Sequence, residues 1–362
     1  MTFGLSPQYI AGVTSTPSPT SRIHGCLLGA AASEAVVLAD GRETTAEAPG
    51  AEVSGAEATG TLRLGAAGQL SFYTADALVE VLEWANAGVY ADQAACVWLA
   101  YLRWAEAQGV PLPASAPSAP PRWIDTQPAT NRQLAERPLW VASLAGGEMG
   151  TPARPLGSTY DDGAAAARSA AFGLVSGTPL DAVTAMALDG AYLTHGHPSA
   201  VQAAAALAGV VRGLAEGGAL PGSVEAVRAA QEGARTPAAD IVAALAWALE
   251  PDSATPELRW PDSAGPVSPA ARSLGTALSA ALAAESSRGD VPADGDDRSA
   301  AYRSAVVRAG AVGADAAAMT GALLGALWGA EAVPAEWASR LEGSDIAGEL
   351  AATLAQASGA ED

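Results

Sequence analysis

Apolar residues along this chain recur at helical spacing and seldom alternate in the two-residue rhythm of a half-buried strand. Alanine and leucine carry the pattern while β-branched and aromatic residues are sparse, so intrinsic propensity points the same way. An all-α fold is therefore predicted. Helices are expected over residues 22–35, from Ser71 to Gly88 with Thr74 as N-cap and Asp76 in the first turn, and from Asp92 to Gly109. More are expected after Asp162, on both sides of residues 194–198, and over 223–233, 237–249, 270–284, 300–310, 313–325, 333–341 and 346–357. Segment 22–35 is rich in small residues, which lets a second helix approach closely.

The punctuation between these stretches sets the organisation. Residues 1–21 read as a flexible N-terminal arm and 22–358 as one domain, with no internal repeat of fixed period. Residues 40–68, the proline-rich 110–122, 250–269 and the acidic 285–298 lose periodicity and read as loops, the first and last of them mobile. The least polar stretch, 316–330, is short for a membrane span and rich in alanine and glycine, so a buried helix is expected there.

Composition narrows the function classes. A formal charge of -20, with 39 acidic against 19 basic residues, argues against a nucleic-acid groove or an anionic membrane surface. Every basic residue is arginine, so a Walker lysine and a Schiff-base lysine are both excluded. Cys26 and Cys96 give neither a zinc spacing nor a disulfide framework, and no leader pattern opens the chain. The cytoplasm is the expected compartment.

The candidate chemistry gathers around Leu193-Thr194-His195-Gly196-His197-Pro198, which holds two of the three histidines at a helix junction. Two readings stand: the imidazoles cap the flanking helices, or they line a polar site for a phosphate or sugar. Carboxylates elsewhere carry the same ambiguity. Glu34 closes an apolar run, Asp161 and Asp162 open a helix, and Asp315 sits near the N-terminus of the most apolar helix. Each is either a solvated or capping charge or a ligand for a metal or ribose.

Several stretches in this order resemble the ADP-ribosylglycohydrolase family. They are Arg22-Ile23-His24-Gly25-Cys26-Leu27-Leu28-Gly29, Thr74-Ala75-Asp76-Ala77, residues 168–174, Leu193-Thr194-His195-Gly196-His197-Pro198, residues 321–325 and residues 333–343. The resemblance implies a single orthogonal helical bundle with a central cleft, where two magnesium ions help cleave the bond between ADP-ribose and a protein side chain or small acceptor. It places Thr74, Asp76 and Asp315 as metal ligands, Asp76 and Glu34 as catalytic carboxylates, and Thr194, His195, His197, Arg168, Asp161 and Asp162 along the ligand.

The family pattern is also broken at these positions. Its Thr-Asp-Asp-Thr reads Thr74-Ala75-Asp76-Ala77, and its later Asp-x-Asp-Thr falls on Val312, Ala314 and Asp315. Its Gly-Asp is Ser33-Glu34, the glutamate of the next loop falls on Gly41 between Asp40 and Glu43, and its Ser-Lys-Gly-Cys-Gly is Tyr160-Asp161-Asp162-Gly163-Ala164. The expectation is a member that has lost its chemistry, needing no cofactor and holding at most one magnesium ion weakly. Its partner would be ADP-ribose, a related nucleotide or another protein. The alternative is an active metal-dependent hydrolase with a rearranged site.

Overall fold

The computed structural model describes residues 16–41, 60–250, 267–287 and 295–360. Residues 1–15 of the expected arm, and residues 42–59, 251–266 and 288–294 of the expected loops, lie outside the described residues. Among the described residues, fourteen α-helical elements follow one another: α1 (Pro19–Ala39), α2 (Ala66–Asn86), α3 (Gln93–Ala107), α4 (Pro128–Asn131), α5 (Ala164–Ala167), α6 (Leu180–Tyr192) and α7 (Pro198–Ala215), then α8 (Leu220–Glu232), α9 (Ala239–Ala248), α10 (Pro269–Ser286), α11 (Gly295–Gly310), α12 (Ala314–Trp328), α13 (Ala335–Ala338) and α14 (Ser344–Ser358). Two isolated bridges, Leu62 with Leu341 and Thr151 with Arg154, are the only extended pairings among the described residues.

The chain is all-α, as its periodicity predicts, but some boundaries move for reasons outside the local sequence. Helix α1 starts at Pro19 because Ser18 accepts a hydrogen bond from the Ser21 N–H and Pro19 suits the first turn, so Pro19, Thr20 and Ser21, which the sequence assigns to the arm, are helical. Helix α2 starts at Ala66, which puts Thr74 in its third turn and overturns the N-cap expected there. Gly65 offers no side-chain cap; Glu34 of α1 supplies one instead, accepting from the N–H groups of Ala67 at 2.9 Å and Gly68 at 2.7 Å. The helix expected over 333–341 shrinks to α13, since Leu341 turns away to bridge with Leu62.

The centre of the molecule is the antiparallel pair α1 and α12. Gly25 and Gly29 face Gly325 and Gly321 so closely that a Cβ built on Gly325 would lie 1.8 Å from the Gly25 carbonyl oxygen. One on Gly29 would lie 2.4 Å from the Gly321 oxygen. Arg22, almost fully buried, donates through Nη1 to the carbonyls of Leu214 (3.2 Å), Ala326 (2.9 Å) and Leu327 (3.0 Å) at the C-terminal ends of α7 and α12. A guanidinium there satisfies orphan carbonyls and sits at the negative end of both helix dipoles. Helices α1 and α7 are long and apolar enough to cross a membrane, yet 78% and 72% of their apolar windows are buried within the fold. They are packed as core helices.

Candidate functional site

A cavity of about 1040 Å³ opens between the C-terminal half of α1, the segment leading into α2, the loop 132–140, the turn 160–164 and the start of α12. Glu34, Asp162 and Asp315 all line it, together with Glu136, Arg63, Arg132, Trp140 and Tyr160. The Leu62–Leu341 bridge fixes one wall through the bonds Leu62 N–H to Arg340 O and Glu342 N–H to Leu62 O, both 2.9 Å. Arg132 clasps Glu342 with Nε and Nη2 at 2.8 and 2.7 Å, tying the loop to the same strip.

Glu34 is 3% exposed, and burial pushes its carboxyl up to about 7 against the pull of the N–H groups of Gly68, Ala67 and Gly65. Its proton therefore binds more readily in the folded than in the unfolded chain, whose glutamate titrates near 4.5. The sign follows: stability falls as pH rises from about 4.5 through about 7, by up to about 3 kcal/mol. Urea unfolding across that range should show the fall in the wild type and a flatter profile in Glu34→Gln. A slope unchanged by the substitution removes Glu34 as its source.

Behind the cavity lies a directed chain of hydrogen bonds centred on Arg168, which has no exposed surface. Arg168 Nη2 donates to Thr194 Oγ1; because a guanidinium only donates, the threonine hydroxyl hydrogen is free for His195 Nδ1, 2.7 Å away. His195 then carries its proton on Nε2 and donates it to Asp162 Oδ1 at 2.9 Å. On its other side Arg168 Nε donates to Tyr101 Oη at 3.0 Å. Tyr101 donates to Thr74 Oγ1 at 2.8 Å, since the Thr74 hydroxyl spends its own hydrogen on the Leu70 carbonyl. The guanidinium also lies 5.2 Å from the Tyr101 ring centroid and 5.3 Å from that of Trp140.

Electrostatics follow from this chain. Burial lowers the His195 pKa, and the Arg168 charge adds to that against the hydrogen bond and charge of Asp162, so the imidazole is neutral at pH 7. Burial opposes the Asp162 charge, but His195, the Ala164 N–H and Arg168 together hold its carboxyl below the ordinary value. The pair thus presents one negative charge to the cavity. Turn 194–198 is held in place by Gly196 N–H on Gly157 O at 2.9 Å and Ser143 Oγ on Thr194 O at 3.0 Å.

The remaining predicted residues sit elsewhere. His197 is the N-cap of α7, its Nδ1 accepting from Ser199 N–H at 3.3 Å, which is the capping reading of that histidine. Asp161 meets α10 through its carbonyl, which accepts from Ala270 N–H at 2.9 Å. Asp315 lies in the first turn of α12 and on the cavity wall. Thr74 and Asp76 are not among the cavity's lining residues. Asp76 is buried against Arg122, whose Nε stands 2.6 Å from Oδ2, with Arg103 Nη2 at 3.9 Å. Arg103 in turn pairs with Asp125 at 2.8 Å, closing an ion network between α2, α3 and the turn Trp123–Thr126. Among the described residues, no three His, Cys, Asp or Glu side chains are grouped so that they could hold a metal ion.

The family model for ADP-ribosylglycohydrolases matches residues 15–362. The chain belongs to the ADP-ribosylglycohydrolase family. A solved structure described as an ADP-ribosylglycohydrolase-related protein complex shares its fold with a TM-score of 0.58 at 19% identity, covering 94% of this chain and 99% of that one. Comparison with curated proteins gives no match. The all-α ADP-ribosylglycohydrolase fold expected from the motifs is thus the fold observed. Tyr101, Trp140, Arg103 and Arg122 belong to the site's surroundings but carry no motif. The only trace of the ion network in the sequence is an arginine beside a tryptophan in both Arg103-Trp104 and Arg122-Trp123.

Proposed function

We propose that this ADP-ribosylglycohydrolase-family chain keeps the cleft of the fold without dimetal hydrolysis and acts by binding. The helix starts carry this reading. A magnesium pair needs several hard oxygen ligands at close quarters. Helix α2 has no acidic residue in its first turn, and its leading N–H groups are taken by Glu34; α12 offers Asp315 alone. Asp76 already faces two guanidinium groups, so a metal there would have to displace Arg122. The residues present therefore do not fit a magnesium pair.

The family's ligand is ADP-ribose in covalent linkage, and its pyrophosphate would meet Asp162 at the cavity edge. Like charges there weaken anion binding. The purified chain in millimolar magnesium should release no ADP-ribose from ADP-ribosylated arginine or serine peptides. Glu34, Asp162 and Asp315 share one cavity, and that observation supports the second reading of a rearranged single-metal site. Turnover that Asp315→Asn abolishes would establish it in place of ours.

A further inference from the structure

We propose that His24 makes the docking of the last helix, α14, onto α1 acid-sensitive: a neutral imidazole lets α14 close against α1, and an imidazolium favours its release. The observation is a buried nitrogen. His24 Nε2 is shut off from solvent and has no hydrogen-bond partner. It faces α14 at Gly348, where a Cβ would stand 3.7 Å from Nε2 and 3.8 Å from Cε1. His195, by contrast, has a partner for each ring nitrogen.

A neutral imidazole tolerates such a place, because its proton can sit on Nδ1 and leave Nε2 bare. An imidazolium must carry N–H on both nitrogens, so protonation puts a charged donor without an acceptor into the contact between α1 and α14. With α14 released, the ring is solvated and titrates near the usual 6.5; with α14 docked, burial lowers its pKa, against the opposing charge of Glu331. The docked state therefore binds fewer protons, and docking weakens as pH falls below about 6.5.

Glu331 reaches the ring from the turn Ala330–Ala332, with Ser21 Oγ donating to its Oε2 at 2.8 Å. The other charges on the surrounding elements are engaged or turned to solvent. Arg22 of α1 is spent on carbonyls of α7 and α12, Asp76, Glu80 and Glu83 of α2 face Arg122, and Glu336 of α13 pairs with Arg303. Asp345 and Glu349 of α14 are exposed. Release would uncover Ile346, Ala347, Leu350 and Leu354, the buried face of α14. The helix also begins just after Glu342, which Arg132 clasps and whose N–H bonds Leu62, so the switch adjoins the cavity wall.

Hydrogen exchange on the full chain, expressed as protection factors at pH values of about 7 and about 5, tests this. Amides of α14 should lose about tenfold more protection than those of α7 on acidification, since each unit by which docking lowers the pKa is a factor of ten. His24→Leu should abolish that difference. Glu331→Gln keeps an oxygen for Ser21 Oγ and should enlarge it, because the charge that opposes the lowered pKa is gone. In the wild type the His24 imidazole, followed by NMR, should titrate below 6.5. The proposal is overturned by a His24 titration at or above that value, by equal protection losses in α14 and α7, by an α14 loss that persists in His24→Leu, or by one that shrinks in Glu331→Gln. Should His24→Leu not fold, the wild-type titration and Glu331→Gln still decide.

Discussion

Gly325→Ala lowers the free energy of unfolding by about 3 kcal/mol or more, at the upper end of what overpacking costs. The new Cβ would stand 1.8 Å from the Gly25 oxygen, 2.3 Å from its carbonyl carbon and 2.9 Å from Cys26 N. All three are backbone atoms of α1, so no side chain can swing aside. The two helices must separate, which loosens the packing around Cys26, Leu27 and Leu324 as well. Alanine's better helix propensity returns only about 1 kcal/mol. Gly222→Ala in α8 is the control: a Cβ there meets nothing within 4 Å, and stability should hold or rise slightly. Urea unfolding of both variants checks this, and equal midpoints for Gly325→Ala and wild type would refute the close packing.

The same pair shows what the sequence makes legible. Gly25, Gly29, Gly321 and Gly325 stand at four-residue spacing on apolar helices, so close approach could be read before any coordinates. Helix type and order were equally visible, because propensity and periodicity agree over most of the chain. The start of α2 was not. Its cap is a glutamate 33 residues upstream, and local sequence offers Thr74 as a decoy whose hydroxyl in fact bonds the Leu70 carbonyl inside the helix. Asp76 shared that error: read as a first-turn charge, it is a buried partner of Arg122, which lies 46 residues away at the end of a proline-rich tract. Contacts between distant segments set both positions, and one sequence carries no local mark of them. Thr194, His195 and Arg168 could be singled out because residue type alone marks chemistry there, yet the direction of their hydrogen bonds needed the fold.

Arg168→Met should cost about 3–5 kcal/mol, the scale of breaking a buried charged network. The substitution removes donors to Tyr101, Thr194 and the Ala164 carbonyl, which lies 3.3 Å from Nη1, and it removes the cation between the Tyr101 and Trp140 rings. Thr194→Val should cost less, about 1–3 kcal/mol, since it breaks only the middle of the chain. The double variant should fall short of the sum by about 0.5–3 kcal/mol, because both changes delete the same bond. A titration readout separates this from simple loss of packing. The Arg168 charge is one of the causes lowering the His195 pKa and one of those holding Asp162 down. Without it the imidazole should accept its proton at higher pH, and the Asp162 carboxyl should also titrate higher. Imidazole resonances followed by NMR across the acid range report the first shift directly. A folded Arg168→Met variant with unchanged stability and an unmoved His195 titration would mean that the arginine is not coupled to the chain that orients Asp162.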